Sequence, residues 1–323
     1  MIRRRPILLG ALAAPFVTRQ AAAQAWNPDR PIRMVVGFAA GGGTDLTARA
    51  MTARLSAELG QPVVVENRPG AGGNIATEIV VRAPADGHTV LMGTIAALSV
   101  NPSLFRNLTF DPLVDLAPIS MVGDITNILV CAPEKPYRTV AELIAAAKAQ
   151  PETLSYGSSG VGGTGHLAGA LLDQLAGIKT IHVPYRGGGP LVTDILSGKV
   201  DFSFATASTT IPHVQTGKLR AIAVPTLKRS TLLPDVPAVS ETLAGYDAPN
   251  WNALVGPRGI TPAMVARFNA AMRSALGDAE VAKHLTTHGV EPIPSSPEEL
   301  TAFMRSQTAK WRDLIRTANI TQD

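Results

Sequence analysis

The sequence predicts an α/β fold in two blocks, each a sheet flanked by helices. Three observations predict it. Short β-branched runs alternate with stretches of helical spacing, the pattern of βα units with largely parallel sheets. Two glycine-rich loops, Gly41-Gly42-Gly43-Thr44-Asp45 and Gly157-Ser158-Ser159-Gly160-Val161-Gly162-Gly163-Thr164-Gly165, each lie between a strand and a helix. The chain, at 323 residues, is also long enough for two cores.

Residues 1–25 read as an export signal. Arg3, Arg4 and Arg5 precede the apolar run Ile7 to Val17, and Ala23-Gln24-Ala25 supplies the small-x-small cleavage site. The run is too short to span a bilayer. Cleavage near Ala25 leaves a mature chain beginning at Trp26, with a periplasmic location and no membrane insertion. Twin-arginine and general export stay open, since Arg4-Arg5 is followed by Pro6-Ile7-Leu8. The signal holds four arginines and no acid. Of 29 basic and 25 acidic side chains overall, the mature part therefore keeps equal numbers. Net neutrality removes the basic footprint of a nucleic-acid binder.

The first block begins with strand 32–38. Helix 46–59 follows and stops at Gly60, then come strand 63–65, a helix over 74–82 and strand 89–92. The second block holds Ile128 to Cys131, an apolar run that buries the lone cysteine as an inert thiol. Thr139-Val140-Ala141-Glu142 is a capping box opening a helix to Ala149. Helix 166–175, strand 180–183, helix 190–196 and strands 200–204 and 219–224 continue the rhythm. Thr261-Pro262 starts a helix to Leu276, and Ser296-Pro297-Glu298-Glu299 starts another to Ile315. These last helices have no strands of their own to cover, so they are expected to return to the first block. The division is then 26–123 plus 242–323 for one lobe and 124–241 for the other. The two chain crossings favour hinge closure over a ligand.

A helix N-terminus exposes unpaired N–H groups and partial positive charge, and glycine lets a ligand approach them. Two such ends on one cleft suit a small anion. Ser158, Ser159 and Thr164 add hydroxyls, and His166 is positioned either to donate to the anion or to cap and pack. Asp45 offsets the helix dipole and fixes the loop. Gly160 to Gly165 also matches G-x-G-x-x-G, but the acid expected about 20 residues on is replaced by His182-Val183-Pro184-Tyr185-Arg186. A NAD(P)-dependent enzyme is therefore the weaker reading, and no cofactor is expected. A tight turn without further function is the other alternative. His284 and His288 share a helix face, but Leu285 stands where a zincin needs glutamate, so the pair is placed near a helix C-terminus and no metal is assigned.

Several stretches together resemble one family. They are Phe38-Ala39-Ala40-Gly41-Gly42-Gly43-Thr44-Asp45, Val65-Glu66-Asn67-Arg68-Pro69-Gly70-Ala71-Gly72-Gly73-Asn74, Ala83 to Thr89, Asn101-Pro102-Ser103-Leu104, the second glycine loop through Gly169, His182 to Gly188, Asp194 to Asp201 and Gly217 to Ala221. The chain resembles the Bug, or TctC-like, extracytoplasmic solute-binding receptors of tripartite tricarboxylate transporters. The resemblance implies a two-lobed periplasmic binding-protein fold of type II, with two parallel-rich sheets flanked by helices and two crossing strands as the hinge. It implies a non-enzymatic, monomeric receptor that takes a small carboxylate in an interlobe cleft and passes it to membrane permease subunits. A sensor presenting ligand to a signalling partner uses the same cleft. The ligand contacts expected on residues and resemblance together are Phe38, Ala40, Gly41, Gly42, Thr44, Asp45, Gly73 and Thr94 in the first lobe. In the second they are Ser158, Ser159, Gly163, Thr164, His166, Asp194, Ala205 and Ala207. Ala205-Thr206 stands where many relatives carry an acid, which turns the expectation away from amino acids and towards carboxylates without an amino group.

Overall fold

The computed structural model describes residues 26–322; the expected export signal and cleavage site lie outside the described residues. The first sheet is laid down by β1 (Ile32–Val36), α1 (Gly43–Leu59), β2 (Val63–Asn67), α2 (Asn74–Val81) and β3 (Thr89–Thr94). A π-helical turn over Ala96–Val100 leads into the short helices α3 (Asn101–Leu104) and α4 (Pro112–Asp115). Strand β4 (Leu116–Ile125) then runs straight through Thr126 into β5 (Asn127–Cys131) of a second sheet. That sheet is completed by α5 (Val140–Ala149), β6 (Ser155–Ser158), α6 (Thr164–Ala176), β7 (Ile181–Pro184), α7 (Gly188–Leu196), β8 (Phe202–Thr206), α8 (Ala207–Gln215) and β9 (Arg220–Ala223). The chain returns at β10 (Trp251–Pro257) and ends with α9 (Pro262–Gly277), α10 (Ala279–Thr287), β11 (Val290–Pro292) and α11 (Pro297–Thr317).

Strand order is β11-β4-β10-β3-β1-β2 in one sheet and β7-β6-β8-β5-β9 in the other. The architecture is a two-lobed α/β fold. Two expectations need correction. First, the sheets are mixed, not parallel-rich. Pairing is parallel in β1–β2, β1–β3, β6–β7 and β6–β8, whereas β4, β5 and β10, which lie at the crossings, pair antiparallel with their neighbours. Secondly, the last helices do have strands. β10 lies between β3 and β4 in the first sheet, and β11 pairs with β4. Every residue of β10 is buried, so it shows no polar-apolar alternation to betray a strand.

Helix boundaries follow the caps. Thr139 and Ser296 accept from the Glu142 and Glu299 amides, and Glu299 returns the bond to Ser296 N–H at 2.7 Å. The helices α1, α6 and α7 start two or three residues earlier than helical spacing suggests, because each begins on glycine or threonine after a glycine cap. His284 and His288 sit at the C-terminal end of α10, closed by Gly289 at φ 75°. Cys131 is fully buried, and burial pushes its thiol up.

Candidate functional site

In an open α/β sheet, ligands bind beyond the carboxyl ends of the strands, where the strand order reverses. The first sheet has such a point between β1 and β3, since β1 leads outward to β2 and the chain returns on the other side. The second sheet has one between β6 and β8, by the same logic. Each reversal point carries one of the two glycine loops.

The loops are geometric twins. Gly41 and Gly162 both adopt positive φ, 80° and 72°. The next residues, Gly42 and Gly163, cap α1 and α6 with nearly identical backbone angles, φ −76°, ψ 164° and φ −69°, ψ 162°, and neither cap has a side chain to satisfy the helix. Gly42 N–H turns back to Ala39 O, and Gly163 N–H to Gly160 O, both at 3.2 Å. The first helical bonds run from Leu46 to Gly42 and from Leu167 to Gly163. The amides of Gly43, Thr44 and Asp45, and of Thr164, Gly165 and His166, therefore have no intrahelical acceptor. A β-carbon at Gly41 or Gly43 would meet no atom within 4 Å, so there is open space beside the first loop.

The twin relation extends to two side chains. Asp45 Oδ2 accepts Gly41 N–H at 2.8 Å, and His166 Nδ1 accepts Gly162 N–H at 3.0 Å. Each stands third in its helix and clamps its own loop. Asp45 also accepts from Arg49 Nε at 3.0 Å and Asn67 Nδ2 at 2.9 Å, and Asn67 Nδ2 reaches Phe38 O. Burial raises the Asp45 carboxyl, but these bonds outweigh it and hold it below the usual carboxylate range. The His166 ring stacks on His182 at 3.7 Å and borders a cavity of about 760 Å³ lined by Tyr156, Asp173, Thr180 and Ile320. Burial, and then His182, push its imidazole down to about 3, while burial holds His182 down to about 4, so both rings are neutral.

Other expected contacts have partners within the protein. Ser158 Oγ is sealed from solvent, donates to Gly160 O at 2.9 Å and lies 2.7 Å from His182 Nε2, so it builds the loop. Asp194 lies within α7, where Tyr185 Oη and Lys199 Nζ bind it at 2.9 Å each; it ties a helix to its neighbours. Ala205 and Ala207 pack with Ile128 and Leu191 in the core of the second lobe, and Ala207 N–H is taken by Thr126 O. The half-buried Thr206 between them caps α8 without a side-chain bond.

The remaining candidates stay at the two reversal points. Phe38, Ala40, Gly41, Gly42 and Thr44 form the first loop, with Gly73 against the Phe38 ring and Thr94 ending β3. Ser159 is exposed beside Gly163 and Thr164 in the second. Contacts link the loops. Asn101 Nδ2 donates to Gly72 O and Asn74 Oδ1, which holds the Gly73 turn, and a β-carbon at Gly162 would collide with Leu104 of the same short helix. Three asparagines escaped the sequence reading. Asn101 is one; Asn67 clamps the first loop; Asn127, on the crossing strand, donates to Thr164 Oγ1 at 3.1 Å. Asn67 and Asn101 lay within stretches already singled out, and only their partners were hidden.

The two crossings meet at Asn250, whose N–H donates to Asp124 Oδ2 at 3.0 Å and whose carbonyl accepts Ile125 N–H at 2.6 Å.

The chain is similar to known proteins over most of its length. The model of the tripartite tricarboxylate transporter family receptor matches residues 47–320. BugT of Bordetella pertussis is 35% identical over 293 residues, covering 90% of this chain and 89% of BugT. Two solved structures from Rhodopseudomonas palustris are similar throughout. Rpa4515 with adipate is 33% identical with TM-score 0.78, covering 91% of this chain and 99% of its own. MatC with bound malate is 30% identical with TM-score 0.74, covering 89% and 99%.

Proposed function

This chain belongs to the tripartite tricarboxylate transporter receptor family, whose members are solute-binding proteins, not enzymes, and from that premise we propose that it captures a small carboxylate between its lobes for delivery to membrane permease subunits. We place it in the periplasm, with residues 1–25 as its export signal. Among the described residues no helix is long and apolar enough to cross a membrane.

The observation that carries the reading is the twin pair of glycine-capped helix ends at the two reversal points. Each helix end carries about half a positive charge and three N–H groups without helical acceptors. Charge-assisted hydrogen bonds contribute about 1.5–3 kcal/mol each. Three or four reach the roughly 8 kcal/mol of a micromolar complex. A ligand bonded to both ends favours the closed arrangement over any open one. Each clamp, Asp45 or His166, keeps its loop in the binding geometry before the ligand arrives.

Thermal melting of the mature protein against mono-, di- and tricarboxylates tests this, with native mass spectrometry for a co-purified acid. Stabilisation by at least one carboxylate is expected. Stabilisation by nicotinamide dinucleotides and by no carboxylate would overturn the reading.

A further inference from the structure

Resting on that reading of the crevice, we propose that Asn252, paired with Thr94, is a specificity-determining ligand contact that reads a hydroxyl beside the ligand's carboxylate. Asn252 on β10 stands directly opposite Thr94 at the end of β3. Directly opposed residues of an antiparallel pair share a sheet face, with β-carbons about 4.5–5.5 Å apart. That face is the one under α1. Met92 and Leu254, each two residues from one of the pair, pack with Ala48, Met51 and Leu55 of α1. The register of β1 on β3 sets Val36 beside Met92, which brings Thr94 level with Phe38, where the first glycine loop starts.

Both side chains are polar, buried and unsatisfied. Asn252 is 0% exposed and Thr94 7%. Asn252 Nδ2, Asn252 Oδ1 and Thr94 Oγ1 have no hydrogen-bond partner among the described residues. Buried polar atoms are normally bonded, and an unbonded one carries its full desolvation penalty. A leucine would fill the Asn252 position without that penalty. Three orphaned atoms on one face of the sheet, where β3 ends and β10 begins one strand from the reversal point, mark a place completed by something outside the chain.

The chemistry of the pair narrows the partner. The amide offers two N–H donors and one carbonyl acceptor, and the threonine offers an O–H donor. A carboxylate only accepts, so it satisfies Asn252 Nδ2 and Thr94 Oγ1 and leaves Asn252 Oδ1 orphaned. A hydroxyl on the adjacent carbon donates to that oxygen. The pair thus favours a 2-hydroxycarboxylate over the same acid without the hydroxyl. Sites built to bond a ligand hydroxyl discriminate strongly against analogues lacking it.

The test measures binding of two acid pairs, malate with succinate and 2-hydroxypropanoate with propanoate, by calorimetry to the wild type, Asn252→Leu and the volume-conserving Thr94→Val. The wild type is expected to prefer the hydroxy acid at least about tenfold. Asn252→Leu is expected to lose that preference while melting no lower than the wild type without ligand. Thr94→Val gives the same comparison should the leucine variant fail to fold. A preference undiminished in the variants overturns the assignment of Asn252 and leaves the receptor reading standing. Equal binding of both acids by the wild type overturns the hydroxyl specificity. A wild type that binds none of the four acids overturns the hydroxyl specificity, and one that is also stabilised by no carboxylate in the melting screen overturns the receptor reading as well.

Discussion

Asp124→Asn should stabilise the protein at alkaline pH and change little at acid pH. Asp124 is 8% exposed, on the crossing strand between its register partners Trp251 and Glu291. Burial, opposed by Asn250 N–H and assisted by the nearby Asp247 and Glu291, pushes its carboxyl up from 3.8 to about 7. The folded state thus holds a proton that the unfolded chain releases near 3.8. The favourable contribution is complete below that value and is lost as pH rises through about 7. At about 1.4 kcal/mol per tenfold change in proton affinity, the difference reaches roughly 4 kcal/mol above pH 7. Asparagine keeps an oxygen for Asn250 N–H and cannot ionise. Urea unfolding of wild type and variant at pH 4.5 and pH 8 should show a gap that shifts by about 2–4 kcal/mol in favour of the variant between the two. An equal gap at both pH values, or a variant less stable at pH 8, would refute the claim that a buried, like-charge-crowded carboxylate sits at the crossing.

Three further outcomes follow from the loops. Gly42→Val and Gly163→Val place a β-carbon 3.2 Å from one carbonyl oxygen at ordinary negative φ, so calorimetry should show carboxylate affinity falling at least about tenfold while melting temperature shifts little. His166→Phe orphans Gly162 N–H and should cost about 1–3 kcal/mol in chemical denaturation. Because the His166 imidazole is depressed to about 3, the wild type loses stability as pH falls from about 6.5 towards 3, a loss the phenylalanine variant should partly escape. Gly162→Ala forces φ 72° on a side chain that strikes Leu104, and should lower stability and ligand affinity together; adding Leu104→Ala should recover the part due to the collision, and no recovery would place the cost in the backbone alone.

The loops were legible because glycine runs between a strand and a helix state their own geometry. The roles of individual side chains were not, since Ser158, His166 and Asp194 are polar residues near the loops whether they face a ligand or a neighbour. His166 turned inward because His182 offers a stacking partner and Gly162 N–H needs an acceptor. Ala205 near the end of β8 and Ala207 at the start of α8 both pack into the core. Asn252 lay within the segment where no strand was expected, and the same burial that concealed β10 concealed it.

From local chemistry alone, the amino-acid sequence determined the alternating elements, the capped helix starts and the two glycine-lined helix entrances. Each depends on residues a few positions apart. The tertiary structure decided which strands run antiparallel, that the last helices bring two strands with them, and which polar atoms are left without partners. Those outcomes depend on residues far apart in the chain, such as Thr94 and Asn252, whose meeting is set by register and packing and leaves no local mark on the chain.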